Sequence, residues 1–388
     1  MRILISAGEA SGEMYGAQLI DALRQKEPSL DFFGVGGDRM RASGCETVVD
    51  ARNLSVVGIT EILSHLPKIY RLFRKLIQEA DKRSPDLAIV IDSPAFNWRV
   101  ARKMRERGVP VVYYVCPQFW AWRQERVKLL RRHVNKALVI FPFEEKFYRD
   151  RGVDASFVGH PLSELPLPAI PREEYARQQK LDPAKHWITI MPGSRGKEVR
   201  MNLPTILEAV RVLGPTYEFL LPVAPTLNRD FIADFVGSVP GVHLVPESLP
   251  ALHHSRAGII ASGTATVEAA MMKLPFLMVY RVSKLTYLLG KPRVKVPFFA
   301  MVNLIAGEKI VAELVQHDFT VQNVVERVRE LLIDGPVRVK MIADLTRVRR
   351  CLQGPLDTQF HPAERAAESV VRLLQQESGE GNPGPKNR

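Results

Sequence analysis

Cysteine is nearly missing from this sequence: three occur in 388 residues, Cys45, Cys116 and Cys351. They stand far apart without metal-like spacing, which excludes a disulfide framework and gives no zinc site. There is no HExxH and no Asp-x-Asp, and the adjacent His253 and His254 read as a surface pair rather than as ligands, so no metal or other cofactor is expected. Long apolar runs are absent too, none approaching the roughly 18 to 20 residues of a membrane span. Met1 to Ala7 is strand-like rather than a signal peptide, so a cytoplasmic protein is expected. No helix-turn-helix, zinc finger, aromatic RNA-binding signature or repetitive basic arm occurs, and nucleic acid is not expected as a partner.

The sequence has 54 Lys and Arg against 42 Asp and Glu, a formal charge of +12 that favours acidic lipid surfaces or phosphorylated substrates. With 46% hydrophobic and 25% charged residues the composition is that of a soluble globular protein, and the length suggests two domains. Short apolar strands alternate with amphipathic helices: RILISA, DFFGV, LAIVI, PVVYYV and ALVIF, with a helical region read between DFFGV and about Arg83. Four prolines, Pro161, Pro166, Pro168 and Pro171, then mark a linker, and the alternation restarts with WITIM, YEFLLP, VHLV, GIIAS and FLMVY. The expected fold is α/β, with two doubly wound Rossmann-like domains, residues 1–165 and 172–345, facing a cleft with ligands at the carboxyl ends of the strands. Beyond about Gly307 the chain reads as mainly helical; residues 346–376 are candidates to return to the first domain, and 377–388 read as a disordered tail.

Four strand-to-helix turns can carry chemistry. In GIIASGTATVEAA the small residues Ser262, Gly263, Thr264, Ala265 and Thr266 let a ligand approach the main chain, and the helix start favours a phosphate; taken alone, the same residues equally serve to turn the chain and cap the helix. Glu268, one turn further in, would repel that phosphate but accept hydrogen bonds from a ribose, so the pair suggests a nucleoside diphosphate. PGSRGKEV repeats the logic, with Ser194 in the turn and Arg195 able to fork onto phosphate oxygens; it lacks the GK[ST] ending of a Walker loop. In the first half, GEASGE offers Glu9 and Ser11 at a strand end, either as an active-site loop or as a helix cap by Ser11 with Glu13 in the first turn. IDSPAFN ends an apolar strand on Asp92, a carboxylate able to take a proton from an attacking alcohol, with capping as its alternative role. The cluster FWAWR has one indole suited to a core and one to a surface. From Ile59 to Ala80, Ile62, Leu63 and Leu66, then Ile69, Tyr70 and Phe73, follow helical spacing beside Lys68, Arg71, Arg74 and Lys75; the later part suits packing on its own domain, the earlier part equally an anionic membrane surface.

GEASGE, GCETV, VVGITEIL, IDSPAFN, FWAWR, VGHPL, PGSRGKEV, ASGTATVEAA and VNLIAGEKIVAELVQ stand in the order found in lipid-A-disaccharide synthases, which the chain resembles from about Arg2 to about Gln375. The resemblance implies an inverting glycosyltransferase of the GT-B type. Its donor would be UDP-2,3-diacylglucosamine and its acceptor 2,3-diacylglucosamine 1-phosphate, joined β-1,6 with release of UDP. It matches Asp92 to the general base and Glu9 and Ser11 to the amino-terminal active-site loop. Ser194, Arg195, Gly263 to Thr266 and Glu268 fall on the UDP side, with Asn303 and Gln316 as further candidates. Ile62, Leu63, Leu66, Ile69 and Tyr70 fall on a patch that contacts the cytoplasmic face of the inner membrane, and a homodimer is a candidate assembly. Many relatives carry a second acid where Ala95 stands and serine where Cys116 stands, so neither side chain is assigned a role. Another UDP-sugar enzyme of the same architecture, such as a UDP-N-acetylglucosamine 2-epimerase, is the alternative, and a non-catalytic module binding anionic surfaces is the reading from another class.

Overall fold

The computed structural model describes the chain except residues 55–58, 165, 238, 291–293, 355–360 and 380–388, and except the side chains of 10, 59–66, 164, 284, 285, 289, 378 and 379. The chain divides into two compact units, Met1–Pro161 with Leu352–Arg388, and Leu162–Cys351. The crossing back thus falls at Leu352, six residues later than the 346 read from sequence.

The first unit contains a seven-stranded parallel sheet: β1 (Arg2–Ala7), β2 (Asp31–Gly36), β3 (Cys45–Asp50), β4 (Leu87–Ile91), β5 (Val111–Tyr114), β6 (Lys136–Val139) and β7 (Ala155–Phe157). Their spatial order is β3-β2-β1-β4-β5-β6-β7. Every residue of β4 is buried, as expected of a parallel strand covered by helices on both faces. The second unit contains β8 (His186–Met191), β9 (Tyr217–Pro222), β10 (Val242–Val245), β11 (Ala257–Ala261), β12 (Phe276–Tyr280) and β13 (Glu313–Val315) in the order β10-β9-β8-β11-β12-β13, also parallel.

Three strands go unread in the sequence, β3, β7 and β13, and all three are sheet edges. An edge strand is half exposed and short, so it carries no apolar run; CETVVD, where a helical region is read from sequence, buries only Cys45 and Val49 fully. Strand order reverses between β1 and β4 in one sheet and between β8 and β11 in the other. Those reversals open a crevice at the carboxyl ends of the strands, the usual place for a ligand in such sheets.

The terminal helix Pro362–Gly379 belongs to the first unit and packs against the helix Ala10–Lys26, with Ala366, Ala367 and Val370 fully buried. Residues 377–379, read as part of a tail, continue this helix. Arg365 is buried at its start, donating from Nε to the Val158 carbonyl at 2.7 Å and from Nη2 to the Gln353 carbonyl. The N–H of His160 meets the Leu352 carbonyl at 2.7 Å, so the points where the chain leaves and re-enters this unit are bonded to each other. Among the described residues no helix is long and apolar enough to cross a membrane.

Candidate active site

At the reversal in the first unit, the turns GEASGE and IDSPAFN leave β1 and β4 side by side. A Cβ placed on Gly8 would lie 2.7 Å from Ser93 Oγ, so this glycine admits the neighbouring turn. Asn97, fully buried, fastens the two strand ends. Its Nδ2 donates to the carbonyls of Ile91 at 2.7 Å, Asp92 at 3.0 Å and Ser6 at 3.1 Å, while its Oδ1 accepts from Ser6 Oγ at 2.6 Å. The Tyr113 hydroxyl adds a bond to the Asp92 carbonyl at 2.9 Å. Asp92 and Ser93 hold φ of 46° and 45°, a left-handed pair without glycine. Each such residue costs on the order of 1 kcal/mol or more and persists only where its surroundings over-determine it, as the bonds to the Asp92 carbonyl do here.

Asp92 is not a helix cap. Ser93 occupies that position for the helix Pro94–Arg105, without a side-chain capping bond, and Pro94 opens the first turn. Nor does Ser11 cap the helix Ala10–Lys26, which it enters in the first turn; Glu9 stands at the cap position, exposed and with no side-chain capping bond. Glu13 caps a different helix, accepting from the Arg39 N–H at 2.9 Å. The Tyr113 hydroxyl is pushed well above its ordinary value, chiefly by burial.

FWAWR follows β5 and divides as its composition suggests. Trp120 is buried and donates to Glu144 Oε1 at 2.8 Å, whereas Trp122 is exposed beneath the Arg123 guanidinium at 4.1 Å. Glu144 Oε2 accepts the N–H groups of Ile140 at 3.1 Å and Phe141 at 3.0 Å; burial nevertheless pushes its carboxyl up to about 7. His160, from VGHPL, lies buried against the rings of Tyr15 and Phe141, and burial pushes its imidazole down to about 3.

At the reversal in the second unit, β8 runs into Ser194 and Arg195 and β11 into Ser262 to Thr266; Ile260 pairs with Met191, so the two turns leave neighbouring strands. Asn202 does here what Asn97 does in the first unit. It is buried, its Nδ2 donates to the Pro192 carbonyl at 2.9 Å, and its Oδ1 accepts the Arg281 N–H at 3.1 Å, joining the turns after β8 and β12. Arg195 is exposed and pairs with Glu198 at 3.0 Å. Gly263 takes φ +142°, and a Cβ there would meet nothing within 4 Å, so the turn has room for a ligand against its backbone. Thr266 is buried and turns its hydroxyl back onto the Gly263 carbonyl at 2.8 Å, shaping the bend. Glu268 accepts from Ser248 Oγ at 2.8 Å, and burial raises its carboxyl above the usual range.

Gln316 sits at the end of β13 with φ 52°, its Nε2 donating to the Val282 carbonyl at 3.2 Å, on the same edge as the other turns. Asn303 lies behind these turns. It is fully buried, its Oδ1 accepts from Ile310 and Val311 N–H, and its Nδ2 donates to the Val311 carbonyl and Glu313 Oε1, which exhausts an amide. Through that bond it holds Glu313, whose carboxylate accepts the N–H groups of Phe299 and Ala300.

The helix Ile59–Arg83 carries the remaining candidates. The side chains of Ile62, Leu63 and Leu66 lie outside the described residues. Ile69 is half-buried against the core of its own unit, to which Leu72, Phe73, Leu76 and Ile77 also contribute; Tyr70 is 60% exposed, beside exposed Lys68 and Arg71.

Two parallel Rossmann-like units with Gly- and acid-bearing turns at their strand reversals define the GT-B architecture of nucleotide-sugar enzymes. Solved structures agree: the UDP-GlcNAc 2-epimerase of Neisseria meningitidis, bound to UDP-GlcNAc, has a TM-score of 0.63 at 14% identity, covering 97% of this chain and 100% of its own. The calicheamicin glycosyltransferase CalG4 gives 0.60 at 16%, covering 97% and 98%. Within that class the lipid-A-disaccharide synthetase family profile matches residues 3–358. The lipid-A-disaccharide synthase of Koribacter versatilis (strain Ellin345) is 51% identical over 97% of this chain and 99% of its own, and that of Myxococcus xanthus (strain DK1622) 43% over 96% and 97%. The chain belongs to the lipid-A-disaccharide synthase family.

Proposed function

We propose that this enzyme transfers the diacylglucosamine of UDP-2,3-diacylglucosamine to the 6-hydroxyl of 2,3-diacylglucosamine 1-phosphate, with inversion, forming the β-1,6 disaccharide 1-phosphate of lipid A and releasing UDP. Asp92 takes the proton of the attacking hydroxyl; Glu9 and Ser11 line the acceptor side. The leaving diphosphate rests on the turn Gly263 to Thr266, with Ser194 and Arg195 beside it, Glu268 toward the ribose and Gln316 at the rim. The first unit acts as the acceptor half and the second as the donor half. Work at the cytoplasmic face of the inner membrane, through Ile62, Leu63, Leu66 and Tyr70, fits two acylated substrates and the basic residues flanking that helix.

One observation carries this reading: in a chain of this family, the bonds of Asn97 and Tyr113 to the Asp92 carbonyl fix a non-glycine left-handed turn that bears the one acid of IDSPAFN. Asp92→Asn should lower disaccharide formation by roughly 100- to 10,000-fold, the range for a lost general base, while UDP binding stays near that of the parent. Product mass spectrometry and UDP titration measure the two quantities, and full turnover by the variant would remove Asp92 from the mechanism. Epimerisation is separated by the same assay, since transfer releases UDP only when the acylated acceptor is present.

A further inference from the structure

Two turns of the second unit are built alike and filled differently. Gly193 stands two residues beyond β8 and Gly263 two beyond β11, with φ of +126° and +142°. Around Gly263 a Cβ would meet nothing within 4 Å, and the N–H groups of Gly263, Thr264 and Ala265 make no hydrogen bond among the described residues. Around Gly193 a Cβ would sit 2.6 Å from both Cβ and Oε2 of Glu198. Glu198 Oε2 accepts the N–H of Ser194 at 3.0 Å and of Arg195 at 3.3 Å, and Oε1 accepts from Arg195 Nη1 at 3.0 Å. Thr226 Oγ1 ties the same turn from its other side, donating to the Ser194 carbonyl at 2.6 Å.

Glu198, in the first turn of the helix Gly196–Leu213, thus reaches back to the N–H groups of Ser194 and Arg195 just before the helix begins. Capping that helix needs only Oε2. The second oxygen goes to the Arg195 guanidinium, engaging one of its five N–H donors and leaving the others for an anion. Building on the donor reading above, we propose that Glu198 is a positioning residue for donor binding: it takes up the N–H groups of Ser194 and Arg195 and holds the Arg195 guanidinium so that its remaining donors serve a diphosphate seated on the turn after β11. The specificity that results is for one diphosphate in one place, on the open turn of the pair.

The test uses the full chain in four forms, the parent, Glu198→Ala, Arg195→Ala and the double variant, with UDP titrated calorimetrically and steady-state kinetics taken with the acylated donor and acceptor. Glu198→Ala should weaken UDP binding about tenfold, as expected when an Arg–phosphate contact loses its orientation. The donor KM should rise and kcat should fall with it, because charge develops on the diphosphate as UDP leaves and a displaced Arg195 stabilises that charge less. In the Arg195→Ala background, removing Glu198 should change UDP affinity no further. A purely capping Glu198 would lower the melting temperature equally in both backgrounds and leave UDP affinity unmoved, which overturns the proposal. Tighter UDP binding by Glu198→Ala overturns it too, marking the carboxylate as a competitor of phosphate. Glu198→Gln keeps a carbonyl oxygen for the cap but loses the charge that holds Arg195; it should bind UDP as weakly as Glu198→Ala and serves if the alanine variant does not fold. A parent that binds no UDP, or an Arg195→Ala variant that binds it fully, would instead defeat the donor reading, a result distinct from Glu198 variants alone matching the parent.

Discussion

Glu144 and His160 lie buried in the first unit and act on stability in opposite directions as pH changes. Burial raises the Glu144 carboxyl from 4.5 to about 7, so between those values the folded chain keeps a proton the unfolded chain has lost, and its stability falls as pH rises. Burial lowers His160 from 6.5 to about 3, so over that window the unfolded chain holds the extra proton and stability rises with pH. From about 4.5 to 6.5 the two slopes cancel. Glu144→Gln also sets an amide NH2 against a donor, either Trp120 Nε1–H or the two backbone N–H groups, and so is destabilising throughout, but its signature is the slope. Unfolding free energies from urea titration should rise with pH between 4.5 and 6.5 in the variant, by at most about 1.4 kcal/mol per pH unit, with the contribution of this pair flat in the parent. A variant slope no different from the parent's would mean that Glu144 titrates as an ordinary carboxylate.

The turns rather than the strands carry the chemistry at the scale of elements. Gly263→Ala forces a Cβ into a left-handed φ without any clash, so it should cost about 1–2 kcal/mol in stability. On the donor reading proposed above it should also weaken UDP binding, since the methyl group would stand where the diphosphate is proposed to meet the backbone; denaturation and UDP titration together separate the two effects. Sequence suffices to find such turns, because a small-residue break between a short apolar run and an amphipathic stretch is a local signal, and GIIASGTATVEAA and PGSRGKEV both carry it. It does not suffice to say what the turns do with their hydrogen bonds. Nothing local marks Asn97 or Asn202 as the residue that fastens two strand ends, because their partners lie far away in sequence or on another turn, and the bonds that engage the Asn303 amide are equally silent in the sequence. The edge strands β3, β7 and β13 escaped for a related reason: half-exposed strands carry mixed residues and take their identity from a neighbour.

At the scale of the whole molecule, the first unit is discontinuous and the second is not. Removing residues 355–388 deletes the helix Pro362–Gly379 from its seat on the helix Ala10–Lys26. Each buried Val or Leu is worth about 1.5–3 kcal/mol, so losing Val370 and Leu374 alone costs on the order of 4 kcal/mol, comparable with the stability of a domain. Limited proteolysis of the truncated chain should therefore cut within residues 1–161 while the continuous stretch 162–351 stays protected, and equal protection of both would show the terminal helix to be dispensable. The same discontinuity sets a timetable during synthesis. Residues 162–351 are 190 in number (351 − 162 + 1), and at about 5–20 residues per second a ribosome takes roughly 10–40 s to make them, during which the first unit has emerged without its closing helix. The half that carries Asp92 is begun first and finished last, so an interval for chaperone capture is written into the order of the chain.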